Sequence, residues 1–262
     1  MDGLYLDKDK VSDSSKPCED TVNLSGILFD LDDTLVAFDA VTSQSWKEVC
    51  LEYSAAKPTV NPDTLLAAIK KVSDWYWSDP ERHRIGRNNI LPARREILKE
   101  VFLTMDLPEA DADAMAERYS RVRLENMYIL PATQSTLSVL RSRGYRLGLL
   151  TNGDGETQRY KIERFDLGKY FETILIEGEL GFGKPDLRIY RLALSALGLE
   201  PEDACMIGDN LSWDVEAPQE LGIRSIWIDR KGTGLPIGST AIPHRVIRDI
   251  SEVPAIFSMD FC

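Results

Sequence analysis

Two aspartates stand one residue apart, directly after a short apolar run near the start of the chain. Residues 27–29 are apolar, as in a buried strand, and Asp30 and Asp32 follow them. Alternation along an extended strand would point both carboxylates to the same side. Two like charges at such close range repel each other unless a cation or a shared proton relieves them. The spacing therefore predicts a bound metal ion, a proton-sharing pair, or both.

Three further polar motifs lie at the ends of later apolar runs or just before a predicted helix. They are Thr151 with Asn152, Lys184, and Asp209 with Asp214. If the strands before them are parallel neighbours, all of these motifs converge on one crevice at the carboxyl edge of the sheet. The crevice would then hold several carboxylates, a hydroxyl, an amide and one ammonium group.

This set of groups suits phosphoryl transfer. Mg²⁺ requires oxygen ligands and bridges carboxylates to a phosphate oxygen. One aspartate can attack phosphorus, and a second carboxyl group can protonate the leaving oxygen and later deprotonate a water molecule. A lysine with hydroxyl and amide donors can stabilise charge on the phosphoryl oxygens.

The elements that must position these residues alternate in type from Pro131 onward. Strands alternating with helices are typical of a parallel sheet with crossover helices. The pattern predicts helices at 131–143, 156–165, 185–198 and 211–221, strands at 146–150, 173–176, 204–207 and 225–228, and a last edge strand at 244–247.

The segment between the first two motifs has a helical pattern instead. Helix starts are indicated at Asn61-Pro62 and near Pro92, and another helix is predicted over 108–126. We therefore predict an α/β core made of residues 21–42 and 130–262, interrupted by a helical insert, 43–129. The polar residues 1–20 are interpreted as a mobile tail.

The composition and charge of the chain limit the kinds of molecule that it is expected to bind. The chain has 31 basic and 43 acidic residues, a net charge of −12, which argues against a nucleic-acid-binding protein. No apolar run approaches the length of about 20 residues that spans a membrane, and the start lacks the pattern of a secretory leader. The cysteines Cys18, Cys50, Cys205 and Cys262 are far apart and are interpreted as reduced thiols. We expect a cytoplasmic protein with a small-molecule partner, and the oligomeric state stays open.

The ordered motifs resemble those of the haloacid dehalogenase superfamily. The resemblance rests on Asp30-Leu31-Asp32-Asp33-Thr34, on Thr151-Asn152, on Lys184 and on Gly208-Asp209 through Asp214, and it extends over essentially the whole chain after the tail. It implies a Rossmann-like parallel sheet core with an inserted all-helical C1 cap domain. The cap type is similar to that of subfamily I phosphatases such as the phosphoglycolate and N-acylneuraminate-9-phosphatases.

The resemblance also implies a role for each motif residue. Asp30 would be the nucleophile and Asp32 the general acid/base, while Thr151 and Asn152 would bind the phosphoryl group. Lys184 would neutralise both nucleophile and phosphate. Dehalogenases of this superfamily typically lack an acid at the position of Asp32, so its presence favours phosphate esters. The implied Mg²⁺ ligands are Asp30, Asp32 through its backbone carbonyl, Asp209 and Asp214.

The cation-rich segment 79–89 is predicted to be a loop of the cap that reaches over the crevice. Arg82, Arg84 or Arg87 would hold a second anionic group of the substrate, and of these three we predict Arg84 to bind it. The alternative is a solvated segment whose charges pair with neighbouring acidic residues.

The expected function is a Mg²⁺-dependent phosphatase that hydrolyses a small phosphorylated metabolite through an aspartyl-phosphate intermediate. Two alternatives stay open. One is a phosphomutase that returns the phosphoryl group to a sugar phosphate, and the other is a non-catalytic protein that binds a phosphate ligand on the same scaffold.

Overall fold

The structure is a computed structural model that describes residues 24–257. The predicted mobile tail, residues 1–20, lies outside the described residues, as do Cys18 and Cys262. Cys50 and Cys205 are buried free thiols, as the sequence predicted.

A six-stranded parallel sheet forms the centre of the protein. The predicted alternation of strands and helices is confirmed, and so is the edge position of the last strand. The order of the sheet is β5-β4-β1-β6-β7-β8. The strands of the described residues are Gly26–Phe29 (β1), Val36–Ala37 (β2), Tyr128–Ile129 (β3), Arg146–Thr151 (β4), Thr173–Ile176 (β5), Ala204–Gly208 (β6), Arg224–Ile228 (β7) and Arg245–Ile247 (β8).

Helices cover the sheet and fill the insert. Between residues 24 and 257, no helix combines the length and the apolar character that crossing a bilayer requires. The α-helices are Thr42–Ala56 (α1), Pro62–Ser78 (α2), Pro80–Asn88 (α3), Ile90–Thr104 (α4), Ala110–Asn126 (α5), Thr133–Ser142 (α6), Gly155–Arg164 (α7), Glu177–Leu180 (α8), Leu187–Leu197 (α9), Ala217–Gln219 (α10) and Val253–Ile256 (α11).

β1 lies in the middle of the sheet, between β4 and β6. Its residues are all buried, because helices pack on both faces of a parallel sheet and leave no polar face. Phe29 at its end is in register with Leu149 of β4 and Ile207 of β6. The carboxyl ends of these three strands therefore meet at one edge.

Helices α1, α2, α4 and α5 of the insert share a hydrophobic cluster of their own. Trp46, Leu98, Phe102 and Tyr119 belong to it, and the rings of Trp46 and Tyr119 are stacked with centroids 3.4 Å apart. The antiparallel pair β2 and β3 lies where the chain leaves the core and returns to it. These helices fall within the predicted insert 43–129 apart from the first residue of α1, and the division of the chain into core and cap domains stays a prediction.

The prediction of a loop at 79–89 is wrong, since α3 occupies most of this segment. Asp79 caps the helix by accepting a hydrogen bond from the backbone N–H of Arg82 at 2.8 Å, and Pro80 takes the first helical position. Glu81 in the first turn and Arg87 in the last suit the helix dipole. The Asp-Pro pair starts a helix here, although it is equally typical of a turn.

Two predicted helices begin or continue differently in the structure. The helix expected to open at Pro185 begins at Leu187, because Asp186 caps it. The helix expected over 211–221 is a π-helical turn, Leu211–Glu216, followed by the short α10. Pro218 lies within α10 and has no N–H to donate to the preceding turn, which is a physical reason for the irregular winding.

Candidate active site

The predicted site residues meet at the carboxyl edge of the sheet. Asp30 follows β1, Thr151 is the last residue of β4, and Asp209 follows β6. Because β1 is hydrogen-bonded to both neighbours, their ends lie side by side. Lys184 and Asp214 reach the same place from the loop before α9 and from the π-helical turn.

A buried lysine joins two of the carboxylates. The Nζ atom of Lys184 lies 2.8 Å from Oδ1 of Asp30 and 2.7 Å from Oδ1 of Asp214. Lys184 and Asp214 are fully buried, and Asp30 is 7% exposed. Burial alone would lower the pKa of Lys184, but the charges of Asp214 and Asp30 outweigh it and hold the pKa above its usual range. The ammonium group is therefore a fixed positive charge.

Asp30, Asp209 and Asp214 form an acidic cluster that fits a divalent cation. Each residue offers one carboxylate oxygen, and these oxygens lie within 4.8 Å of one another. The Oδ2 atom of Asp30 is buried and has no hydrogen-bond partner among residues 24–257. Such an oxygen, with two further carboxylates beside it, matches the ligands that hard cations prefer.

The pKa values of the cluster reflect its excess of negative charge. Burial, followed by the charge of Asp214, raises the pKa of Asp30 to about 7, although Lys184 opposes the shift. Asp209 lies at the exposed mouth of the cluster. Desolvation by the surrounding protein atoms and the charges of Asp30 and Asp214 raise its pKa as well. A bound cation would remove this repulsion and favour both ionised carboxylates.

Two glycines allow polar side chains of the site to lie close to the backbone. A Cβ atom on Gly208 would lie 2.1 Å from Oδ2 of Asp214, and one on Gly183 would lie 2.5 Å from Oδ1 of Asn152. Any larger residue would displace these polar side chains. The site therefore requires glycine at both positions.

Asn152 fixes the loop that carries Lys184. Its Nδ2 donates to the backbone carbonyl of Lys184 at 2.6 Å, and its Oδ1 accepts from the backbone N–H of Lys184 at 2.8 Å. This reciprocal pair ties the end of β4 to the loop before α9. The structure thus places the amide of Asn152 on the lysine backbone, while its predicted contact with the phosphoryl group stays a prediction.

Two residues of α7, which the sequence analysis did not single out, hold Asp32. The Nζ atom of Lys161 lies 2.7 Å from both carboxylate oxygens of Asp32, and Gln158 donates to Oδ2 of Asp32 at 3.1 Å. Gln158 also donates to the hydroxyl of Thr151. The available signal was their spacing of three residues, which puts a lysine and a glutamine on one face of the helix after Thr151-Asn152.

Lys161 is almost completely buried, with 1% of its surface exposed. Burial is the largest effect on the pKa of Lys161 and lowers it, while the charge of Asp32 opposes part of that shift. The side chain of Asp32 is therefore engaged by α7 and is not part of the acidic cluster around Asp30. This arrangement leaves open its predicted role as a metal ligand through the backbone carbonyl.

Helix α3 packs on the carboxyl edge of the sheet. Arg87 donates two hydrogen bonds of 2.7 Å to the carboxylate of Glu177, and its carbonyl accepts from the backbone N–H of Asp154 at 3.0 Å. The ring of His83 is stacked on that of Trp213, with centroids 5.9 Å apart. The helix therefore contacts the loop after β4, the residue after β5 and the π-helical turn.

The other two arginines of α3 have local partners. Arg82 donates to the backbone carbonyls of Tyr76 and Trp75 at 3.2 and 2.9 Å. Arg84 donates to Glu81 at 2.7 and 2.9 Å, on an exposed face of α3. The structure thus does not bring Arg84 to the acidic cluster, and substrate binding by Arg84 stays a prediction.

Comparison with known proteins gives a family and several relatives. The family described as haloacid dehalogenase-like hydrolase matches residues 24–222. The phosphoserine phosphatase of Thermus thermophilus is 38% identical over 178 residues, which cover 68% of this chain and 65% of that protein. The N-acylneuraminate-9-phosphatase of Rattus norvegicus is 34% identical over 158 residues, 58% of this chain and 63% of that protein. The chain thus spans slightly less than two thirds of the length of these curated relatives.

A solved structure shares the fold along most of the chain. A Bacillus subtilis hydrolase of the same superfamily, crystallised with bound magnesium, superposes with a TM-score of 0.70 at 22% identity. The match covers 90% of this chain and 100% of that one. The sheet core and the helical insert therefore occur together in a solved protein.

Proposed function

The chain belongs to the family of haloacid dehalogenase-like hydrolases, and from this premise we propose that it is a Mg²⁺-dependent phosphatase acting on small phosphate monoesters. One observation carries the proposal. Asp30 has one oxygen held by Lys184 and one buried oxygen that finds no hydrogen-bond partner in the part of the chain that the structure describes, beside two further carboxylates. This is the arrangement that a nucleophilic carboxylate sharing a cation with the substrate phosphate requires.

In the first step, the carboxylate of Asp30 attacks phosphorus. The bond between phosphorus and the leaving oxygen breaks, and Asp32 gives its proton to that oxygen. Lys184 donates to Oδ1 of Asp30 and thereby fixes the orientation of the attacking carboxylate. The hydroxyl of Thr151, at the end of β4, is proposed to contact the phosphoryl group.

In the second step, water attacks phosphorus of the aspartyl phosphate. Asp32, now ionised, takes the proton from the water, and inorganic phosphate leaves as the carboxylate of Asp30 is restored. Mg²⁺, when bound, would neutralise charge on the phosphoryl oxygens. The proposed Mg²⁺ ligands are Asp30, Asp209, Asp214 and the backbone carbonyl of Asp32.

The substrate class follows from the relatives and from charge. The two curated relatives are named for phosphoserine and for an N-acylneuraminate 9-phosphate, both small phosphate monoesters. The net charge of −12 disfavours nucleic acid as the substrate. The free thiols Cys50 and Cys205 support a reducing compartment such as the cytoplasm.

The test uses p-nitrophenyl phosphate with and without Mg²⁺. We expect the wild-type protein to hydrolyse it only with the metal, and Asp30→Asn to retain less than about one thousandth of the activity. Asp74→Asn, which changes an exposed aspartate of α2, is the matched control and keeps full activity. Full turnover by Asp30→Asn would contradict the proposal. Transfer of the phosphoryl group to a sugar phosphate instead of water would identify a phosphomutase, and binding without turnover would identify a binding protein.

A further inference from the structure

We propose, on the basis of the phosphatase function proposed above, that Lys161 and Gln158 are positioning residues that hold the carboxyl group of Asp32 for proton transfer to the leaving group. They act through Asp32 and not by touching the substrate. Their contacts with Asp32 are the 2.7 Å bonds from Lys161 and the 3.1 Å bond from Gln158.

The two oxygens of Asp32 are held unequally. Oδ2 accepts from both Lys161 and Gln158, whereas Oδ1 accepts from Lys161 alone among the described residues. Oδ2 is therefore the anchored oxygen, and Oδ1 is the one that exchanges the proton. In the first step this proton passes from Oδ1 to the leaving oxygen as the bond to phosphorus breaks. In the second step Oδ1 receives a proton from the attacking water.

Gln158 also links the acid to the phosphoryl-binding group. Its Nε2 donates to Asp32, to the hydroxyl of Thr151 and to the carbonyl of Asn152, the last at 3.0 Å. The amide nitrogen has two hydrogens for these three acceptors, so one hydrogen is shared between two of them. The side chain of Gln158 thus links the end of β1 to the end of β4. A shift of this side chain would move the acid relative to the phosphorus that Thr151 is proposed to contact.

The burial of Lys161 indicates that its ion pair with Asp32 serves the active site and is not an ordinary surface ion pair. A buried ammonium group is retained when a counter-charge and good geometry offset its loss of hydration. Asp32 supplies the counter-charge, and the ring of Phe38 lies with its centroid 3.3 Å from Nζ. The side chain of Asp32 is 25% exposed, so the carboxyl group that this buried lysine holds stays accessible from the crevice.

The experiment compares two aryl phosphates that differ in their need for an acid. The leaving group of phenyl phosphate requires a proton, whereas that of 2,4-dinitrophenyl phosphate leaves as a stable anion. The quantity is kcat/KM with Mg²⁺, which reports the steps up to departure of the leaving group. We expect Lys161→Met to lower kcat/KM about 100-fold for phenyl phosphate and less than about 3-fold for 2,4-dinitrophenyl phosphate, since general acid catalysis contributes about 10²- to 10⁴-fold.

Three further variants define the role. Arg159→Met removes a cation of the same helix that pairs with Glu179, and it is expected to keep the wild-type ratio between the substrates. Gln158→Leu is expected to change the ratio about 10-fold in the direction of Lys161→Met. In an Asp32→Asn background, Lys161→Met is expected to cause no further change of the ratio, because it acts through Asp32.

The outcomes separate this inference from the proposed function. If the wild-type protein hydrolyses neither ester, the phosphatase proposal fails. If it hydrolyses both, and Lys161→Met and Gln158→Leu lower both rates by the same factor, the two residues are merely structural and the inference is overturned. A full effect of Lys161→Met in the Asp32→Asn background overturns it too. Circular dichroism checks folding, and Gln158→Leu alone decides the question if Lys161→Met does not fold.

Discussion

Lys184 connects carboxylates that come from opposite ends of the sequence. Asp30 follows the first strand, whereas Asp214 lies in the π-helical turn after β6. Two buried carboxylates within reach of each other would repel, and the ammonium group between them offsets that repulsion. The same side chain thus stabilises the fold and orients the proposed nucleophile.

Replacing Lys184 by methionine tests whether the charge of this side chain, and not its packing, stabilises the fold and supports activity. The variant keeps an unbranched apolar side chain that lacks the terminal ammonium group, and it leaves Asp30 and Asp214 buried without their counter-charge. We expect a loss of about 3–5 kcal/mol in the free energy of unfolding, measured by urea denaturation, and loss of p-nitrophenyl phosphate turnover. Lys169→Met removes an exposed ion pair with Asp166 and should leave the urea midpoint unchanged. An equal midpoint for the two variants would contradict the structural role of Lys184.

At the scale of residues, the sequence predicted the motif positions but not what holds Asp32. Asp30 and Lys184 stand next to apolar strands or helix starts, and these local patterns indicate the edge of a sheet. Lys161 lies within a helix and has no such neighbouring pattern in the sequence. Its partner Asp32 lies 129 positions away, and only the packing of α7 on the sheet joins them.

Among the elements, α3 shows why a local pattern can mislead. Asp79-Pro80 is compatible with a turn and with the start of a helix, and the cations that follow suggested an open loop. In the structure the residues form a helix, whose C-terminal part meets the core through Arg87 and Glu177. Through Arg87 and His83 the helix contacts three segments at the edge of the sheet where the acidic cluster lies.

The ion pair of Arg87 and Glu177 should contribute to stability in a pH-dependent way. Burial alone would raise the pKa of Glu177, but the hydrogen bonds and charge of Arg87 and the N–H of Gly153 hold it below its usual range. A carboxylate with a lowered pKa stabilises the fold above its ordinary pKa of about 4.3, and this contribution disappears as the pH falls through the lowered value.

We therefore expect Arg87→Ala to lower the free energy of unfolding by about 2 kcal/mol at pH 7, because it leaves Glu177 buried and unpaired. The difference from the wild-type protein should shrink as the pH falls below the ordinary glutamate value and through the lowered pKa of Glu177, because the carboxyl group then becomes protonated in both proteins. Urea titrations at a series of pH values from neutral to acidic measure this difference in the free energy of unfolding. Arg84→Ala, which removes the exposed pair with Glu81, serves as control. A difference that does not change with pH would contradict the role given to this ion pair.

In the whole molecule, the sheet and the helical insert have separate hydrophobic clusters. Two clusters lie against the sheet, and another is formed by α1, α2, α4 and α5. The short pair β2 and β3 lies where the chain passes between these two regions. The sequence predicted this architecture because the alternation of strands and helices, and its interruption by an all-helical stretch, are visible along the chain. It could not predict how α3 meets the sheet edge, since that contact depends on side chains that no local pattern pairs.

The acidic cluster joins distant segments of the core, so a cation bound there should stabilise the whole molecule. Asp30, Asp209 and Asp214 follow two different strands, and folding brings them within reach of one ion. A ligand present at about 100 times its Kd and bound only by the folded state stabilises it by about 2.7 kcal/mol. We expect saturating Mg²⁺ to raise the Tm of the wild-type protein by about 5 °C or more at pH 8.

The rise in Tm should become smaller toward pH 6. The pKa of Asp30 is raised to about 7, mainly by burial, so below that pH the cation must displace a proton from this ligand. Above it the carboxylate is already ionised, and the affinity for Mg²⁺ should be higher. Asp209→Asn is expected to lose most of the Mg²⁺-induced rise, whereas Asp74→Asn, on the exposed face of α2, should keep it. Differential scanning fluorimetry at both pH values measures the effect, and an equal rise in Asp209→Asn and the wild-type protein would show that the ion binds elsewhere.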